Sequence, residues 1–115
     1  MNLNLAQYLL PEGILEYFDI VSSKTESDKI HFYLEEKNIL PVEYNQLTAK
    51  SKGFMPEITV EDFPLRGKTV LLHIKRRRWT LLERHQIIKR DWNLVAQGTR
   101  MTSEFAAFLK DISRY

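Results

Sequence analysis

The chain has 115 residues and no cysteine, which makes one domain the natural reading and excludes disulfides, thiolate zinc sites and a cysteine nucleophile. Its hydrophobic and charged fractions, 43% and 28%, are ordinary for a folded protein and exclude wholesale disorder. No apolar run approaches the ~20 residues that span a bilayer, and polar Asn2, Asn4 and Gln7 stand where a signal peptide would be basic and then apolar, so a cytoplasmic protein without a membrane partner is expected.

In chain order, Leu3 to Leu10 reads as a short helix with Leu5, Tyr8 and Leu9 on one face, stopped by Pro11 and Gly13. Glu16 to Lys37 turns to period two. Phe18 and Ile20 alternate with Asp19 and Val21, and Ile30, Phe32 and Leu34 with His31, Tyr33 and Glu35; the polar set Lys24–Asp28 lies between as a turn, giving an acidic β-hairpin. A helix through Tyr33–Lys37 is the alternative, since Leu, Glu and Lys favour it. Asn38 to Pro56 lacks periodicity and reads as a long connection, with Lys50-Ser51-Lys52-Gly53 as its most mobile part. The domain reading is therefore a single unit over 1–115, divisible into an acidic helix and hairpin (1–40), a linker (about 41–56) and a basic ribbon and helix (57–115).

Glu57–Asp62 alternates as a strand, and Pro64–Gly67 turns the chain into the apolar, β-branched run Lys68–Ile74. That run leads into four cations and an indole, Lys75-Arg76-Arg77-Arg78-Trp79. Arg84 to Val95 reads as a second strand, so a turn near Leu82 and Glu83 makes a basic ribbon. After Gly98, Thr102 or Ser103 caps a helix to Arg114, with Phe105, Phe108, Leu109 and Ile112 as its apolar stripe. The fold class is α+β: antiparallel hairpin and basic β-ribbon, with a short N-terminal helix and a C-terminal amphipathic helix on the sheet. The end at Tyr115, straight after this helix, suits a piece of a longer protein or one member of a split pair.

Charge divides unevenly. Residues 1–64 carry five Lys/Arg against eleven Asp/Glu, and residues 65–115 twelve against four, so the second half suits a polyanion. In a strand, Lys75, Arg77 and Trp79 project from one face and Arg76 and Arg78 from the other. Lys75, Arg76, Arg77, Arg78, Lys89 and Arg90 are the first candidates for contact with DNA, and Lys68, Arg84 and Arg100 extend the surface. The plainer reading makes Lys75–Arg78 a solvated edge strand and Trp79 and Trp92 buried anchors. Catalysis is not signalled. Glu35-Glu36 and Glu61-Asp62 are adjacent pairs whose members point apart, and there is no glycine-rich phosphate loop, nucleophile elbow or HExxH helix. His31, His73 and His85 match no zinc spacing and read as ordinary strand residues, so no metal or other cofactor is expected.

The run Val60–Trp79, with its Asp62-Phe63-Pro64-Leu65-Arg66-Gly67 turn and Arg76-Arg77-Arg78-Trp79, followed by Arg90-Asp91-Trp92 and Thr102-Ser103-Glu104-Phe105, resembles the N-terminal region of bacterial insertion-sequence transposases that carry a zinc-ribbon-like DNA-binding part. The likeness is to the small separate N-terminal-region protein of one subgroup and spans almost the full length. Where those relatives carry metal knuckles, this chain has Asn38–Tyr44 and Leu81–His85, so packing by Leu40, Leu81, Trp79 and Trp92 is expected to replace zinc. The resemblance implies a module that binds the double-stranded DNA of terminal inverted repeats in transposition, a form of DNA recombination. Its partner would be a catalytic transposase part holding the Asp/Asp/Glu site elsewhere, and a homodimer is one assembly open to it. A module that binds only protein, or an inactive fragment, are the alternatives.

Overall fold

The computed structural model describes residues 8–98 and 103–115. Among these residues it is an α+β protein with seven strands in two sheets and two helices. The first sheet has the order β1 (Phe18–Thr25), β2 (Lys29–Glu36), β5 (Lys68–Lys75), β4 (Ile58–Leu65); the second has β3 (Ala49–Phe54), β6 (Arg77–Leu81), β7 (Gln86–Lys89). Helices α1 (Trp92–Gly98) and α2 (Ser103–Ser113) close the chain. Of the N-terminal helix expected over Leu3–Leu10, residues 3–7 lie outside the described residues, and residues 8–10 form a turn and bend rather than helix.

The acidic hairpin is present as β1 and β2, paired antiparallel from Phe18↔Glu36 to Thr25↔Ile30. The helix alternative over Tyr33–Lys37 is not adopted. Phe32 and Leu34 are both buried, and period two serves them where a helical twist would turn one outward. Strand β2 also pairs parallel with β5, setting Phe32 beside Leu72 and Leu34 beside Ile74. One face of this sheet thus presents Phe18, Phe32, Leu34, Val60, Val70, Leu72 and Ile74, and the α2 stripe Phe105, Phe108, Leu109 and Ile112 covers it, all of them buried. Burial of each large side chain contributes about 1.5–3 kcal/mol against the entropy of folding. The β4–β5 turn is the two residues Arg66 and Gly67, with φ of 49° and 78°, the doubly left-handed geometry that two-residue hairpins need and glycine tolerates.

Three expectations change. The stretch 41–56 is not a bare connection, since Ala49–Phe54 pairs with β6 as an edge strand. Its Lys50-Ser51-Lys52-Gly53 sequence shows no apolar alternation because most of its side chains face solvent and backbone bonds hold it. The second strand of the ribbon ends at Lys89 rather than Val95. Asp91 stops it by capping α1, its Oδ1 accepting from the backbone amides of Asn93 at 3.0 Å and Leu94 at 3.1 Å, which satisfies donors a helix start leaves open. Finally, Lys75 and Trp79 do not share a face. The strand breaks at Arg76, the single residue between β5 and β6, and the chain passes there from one sheet to the other.

The second sheet has its own small core of Trp79, Leu81 and Ile88, with Leu40, Tyr44, Leu47 and Ala49 against it. Trp79 is buried and donates its indole N–H to Asn38 Oδ1 at 2.9 Å. Leu40, Leu81 and Trp79 therefore do pack together, whereas Trp92 belongs to the larger core and stacks on Phe18 at 5.3 Å between centroids.

Candidate nucleic-acid interface

The break at Arg76 sorts the basic run into different environments. Arg76 is only 6% exposed and donates from Nη1 to the main-chain oxygen of Tyr115 at 2.9 Å, while its own carbonyl accepts from Met55. Arg77, half-buried, gives its amide to Glu36 Oε1 at 3.0 Å and its Nε–H to the Glu36 carbonyl at 3.1 Å. Its guanidinium also bonds Ser51 Oγ and lies 4.6 Å over the Phe54 ring. Arg90 is 9% exposed and donates Nε–H to Glu36 Oε2 at 2.8 Å and a terminal N–H to the Ile39 carbonyl. The rings of Tyr17, Trp92 and Trp79 surround it at 5.3, 5.6 and 5.7 Å. A weakly hydrated, planar cation suits such a box.

Glu36 is the acceptor at the centre and is 1% exposed. Burial pushes its carboxyl above the ordinary range, and the Arg90 side chain and the Arg77 amide pull it back. Burial also lowers the Arg76 guanidinium from its ordinary value, although an arginine stays charged at neutral pH.

The cations of the second sheet that are not committed to these contacts lie on its outer face. Cross-strand pairing sets Lys50 beside Thr80, Thr80 beside Ile87, and Arg78 beside Lys89, and side chains paired in register share a face. Trp79, Leu81 and Ile88 alternate to the inner side. Lys52 is exposed in the bulge of β3, and Arg84 is exposed in the β6–β7 turn. Strands β3, β6 and β7 carry Lys50, Lys52, Arg77, Arg78 and Lys89 and not one carboxylate. The strands of the first sheet balance Lys24, Lys29, Lys68 and Lys75 against Asp19, Glu35, Glu36, Glu61 and Asp62. Glu83, in the turn, is bound by the Thr48 amide at 2.9 and 3.0 Å, a contact that holds its carboxyl below the ordinary range.

Of the residues singled out from sequence, Arg78, Lys89 and Arg84 gather on or beside this face. Lys75 sits instead on the open face of the first sheet, in register with Glu35. Lys68 stands at the other end of β5, its Nζ 3.4 Å from the Glu26 carbonyl. Arg100 lies outside the described residues. Lys50 and Lys52 were missed, because they belong to the acidic half of the chain and to a strand without alternation.

The histidines are also more than separate strand residues. The parallel register brings His31 Nδ1 to 2.8 Å from His73 Nε2. Their rings stack with Tyr33, and His73 Nδ1 lies 3.0 Å from Thr59 Oγ1. Glu26 stands 3.5 Å from His31 and Glu57 3.7 Å from His73. Burial lowers the His73 pKa from its ordinary value, with Glu57 opposing.

Among the described residues, no group of three or more His, Asp or Glu could hold a metal ion, and no helix is long and apolar enough to cross a membrane. No protein-family model matches the chain, and no curated protein or solved structure is significantly similar to it.

Proposed function

We propose that the protein binds double-stranded DNA through the outer face of its β3–β6–β7 sheet, and that it serves in the cytoplasm of a bacterium as the non-catalytic end-recognition module of an insertion-sequence transposase. The observation carrying this reading is the concentration of Lys50, Lys52, Arg78 and Lys89 on a sheet whose strands hold no carboxylate, with Arg84 at its rim. Duplex DNA presents one charge per ~1.7 Å of axis, which rewards several cations held in a fixed array. A β-ribbon also fits the major groove, where Arg78 would find guanine edges, while the lysines suit phosphates. The transposon-end assignment rests on the resemblance of Val60–Trp79 to the transposase N-terminal regions.

Gel-shift titrations against the element's terminal inverted repeat and a scrambled duplex test this. Five phosphate contacts give log affinity falling with log salt at a slope of about −4.5. Lys50→Glu combined with Lys89→Glu should reduce the affinity for both duplexes by at least tenfold. An absence of binding to either duplex at low salt would overturn the proposal.

A second reading, docking to the catalytic transposase part, is favoured by Phe63. This ring is 71% exposed at the edge strand β4, beside a groove lined by Pro64, Ala107, Phe108 and Asp111. The two readings use opposite sides of the charge distribution, and Phe63→Ser would weaken capture of the catalytic part without altering the salt slope.

A further inference from the structure

Where the two sheets meet lies a cavity of about 280 Å³, lined by Arg76, Arg77, Lys89, Arg90, Glu36 and Asp91 among others. We infer that this cavity is a binding site for a phosphate group, adjoining the outer sheet face and sharing Lys89 with it. The inference rests on the nucleic-acid reading only for where the phosphate comes from.

The donors and acceptors do not balance. Both side-chain carboxylates in the cavity are already bound by the protein: Glu36 by the Arg77 amide and Arg90 Nε, Asp91 by the amides of Asn93 and Leu94. The cations are not used up. A guanidinium offers five N–H donors in a rigid fork. Arg76 gives one of these to the main-chain oxygen of Tyr115, and its Nε is buried without a partner. Among the described residues no side-chain carboxylate lies within ion-pair distance of Arg76, Arg77 or Lys89. Arg76 is 6% exposed, and with its Nε unpartnered it gains from a further acceptor even though Tyr115 and the nearby Glu36 offset part of its charge.

The shape of the site selects the anion. Arg76, Arg77 and Lys89 all line a space several times the ~30 Å³ of a water molecule, which admits a tetrahedral oxyanion with part of its hydration. Arginine forks match phosphate oxygens in pairs, and Lys89, exposed at the mouth, adds a mobile point charge. An apolar or cationic guest gains nothing here.

Thermal unfolding of the whole chain in sodium phosphate, compared with sodium chloride at equal ionic strength, tests the site. For a Kd on the order of 1 mM, 10 mM phosphate should raise the midpoint by about 6 °C beyond chloride. Lys89→Ala changes an exposed side chain, so the fold survives, and should weaken the apparent phosphate affinity at least threefold. Arg76→Gln should abolish the shift, and Lys50→Ala, on the outer face, should leave it intact. Competition identifies the source. If the phosphate belongs to bound DNA, 10 mM phosphate weakens duplex binding beyond the chloride control and Lys89→Ala removes that excess; a free-phosphate site leaves duplex binding at the control level. A midpoint equal in phosphate and chloride, or a shift retained in both Lys89→Ala and Arg76→Gln, overturns the site and leaves duplex binding on the outer face standing. Loss of duplex binding with the phosphate shift intact overturns the proposed function and not the site.

Discussion

Replacing Glu36 by glutamine tests whether part of the basic run is held by the fold rather than offered to a ligand. The carboxylate accepts from Arg90 Nε at 2.8 Å and from the Arg77 amide at 3.0 Å, and the Glu36 and Arg90 side chains are 1% and 8% exposed. Removing one partner of a buried ion pair costs about 3–5 kcal/mol because the other charge stays behind. Two features reduce that figure. Glutamine keeps one acceptor oxygen and the shape, and the Arg90 cation retains the faces of Tyr17, Trp79 and Trp92, worth about 0.5–2 kcal/mol together. A loss of roughly 2–3 kcal/mol remains, a large fraction of the ~5–15 kcal/mol that holds a domain together. Urea unfolding followed by tryptophan fluorescence reads it, since Trp79 and Trp92 are both buried beside Arg90. Arg90→Met alone should cost a similar amount, and the double variant should be more stable than the sum of the two losses by at least 1 kcal/mol, because the orphaned charge is gone. Additive losses, or Glu36→Gln within 0.5 kcal/mol of the wild type, would refute the pairing.

Two further outcomes follow from single contacts. Asp91→Ala should cost about 1 kcal/mol, read as a lowered urea midpoint, and Asn or Ser at that position should restore most of it, because the Asp91 oxygen caps the amides of Asn93 and Leu94. Stability should also fall on acidification. Burial lowers the folded pKa of His73 below its unfolded value of 6.5, so between the two values the unfolded chain binds more protons; the stabilising contribution is full above 6.5 and is lost as pH falls through the folded value. Urea midpoints from pH 7.5 down to pH 5 should decline in the wild type, and the decline should be shallower in His73→Gln.

The elements that were legible in the sequence are those in which one side of a periodic segment is buried. Phe32 and Leu34 in β2, and Phe105, Phe108, Leu109 and Ile112 in α2, enforce their own period, so the hairpin and the last helix could be read directly. Strand β3 has no such constraint, being an edge strand with Lys50 and Lys52 in water. The parallel pairing of β2 with β5 depends on contacts some 40 residues apart, and nothing local to His31 announces His73. For the site, the sequence exposed the quantity of positive charge and concealed its direction. Arg76 and Arg78 are two residues apart in a run of one chemistry, and only the break between sheets turns the first inward.

That break bears on how substitutions in the run should be interpreted. Arg76, Arg77 and Arg90 bond main-chain or buried groups from distant segments: the Tyr115 oxygen, the Glu36 end of β2 and the Ile39 carbonyl. Alanine at any of them withdraws donors from acceptors that are then left short, a cost of about 1–3 kcal/mol each, and DNA affinity would drop simply because less protein is folded. Arg78 and Lys89 stand in register on the outer face, where loss of charge leaves those links intact. A loss of binding accompanied by an unchanged unfolding midpoint therefore identifies a contact with DNA, and a loss that tracks the midpoint identifies a strut. If the outer face binds duplex DNA as proposed, this criterion should place Lys50, Arg78 and Lys89 in the first class, and Arg76, Arg77 and Arg90 in the second.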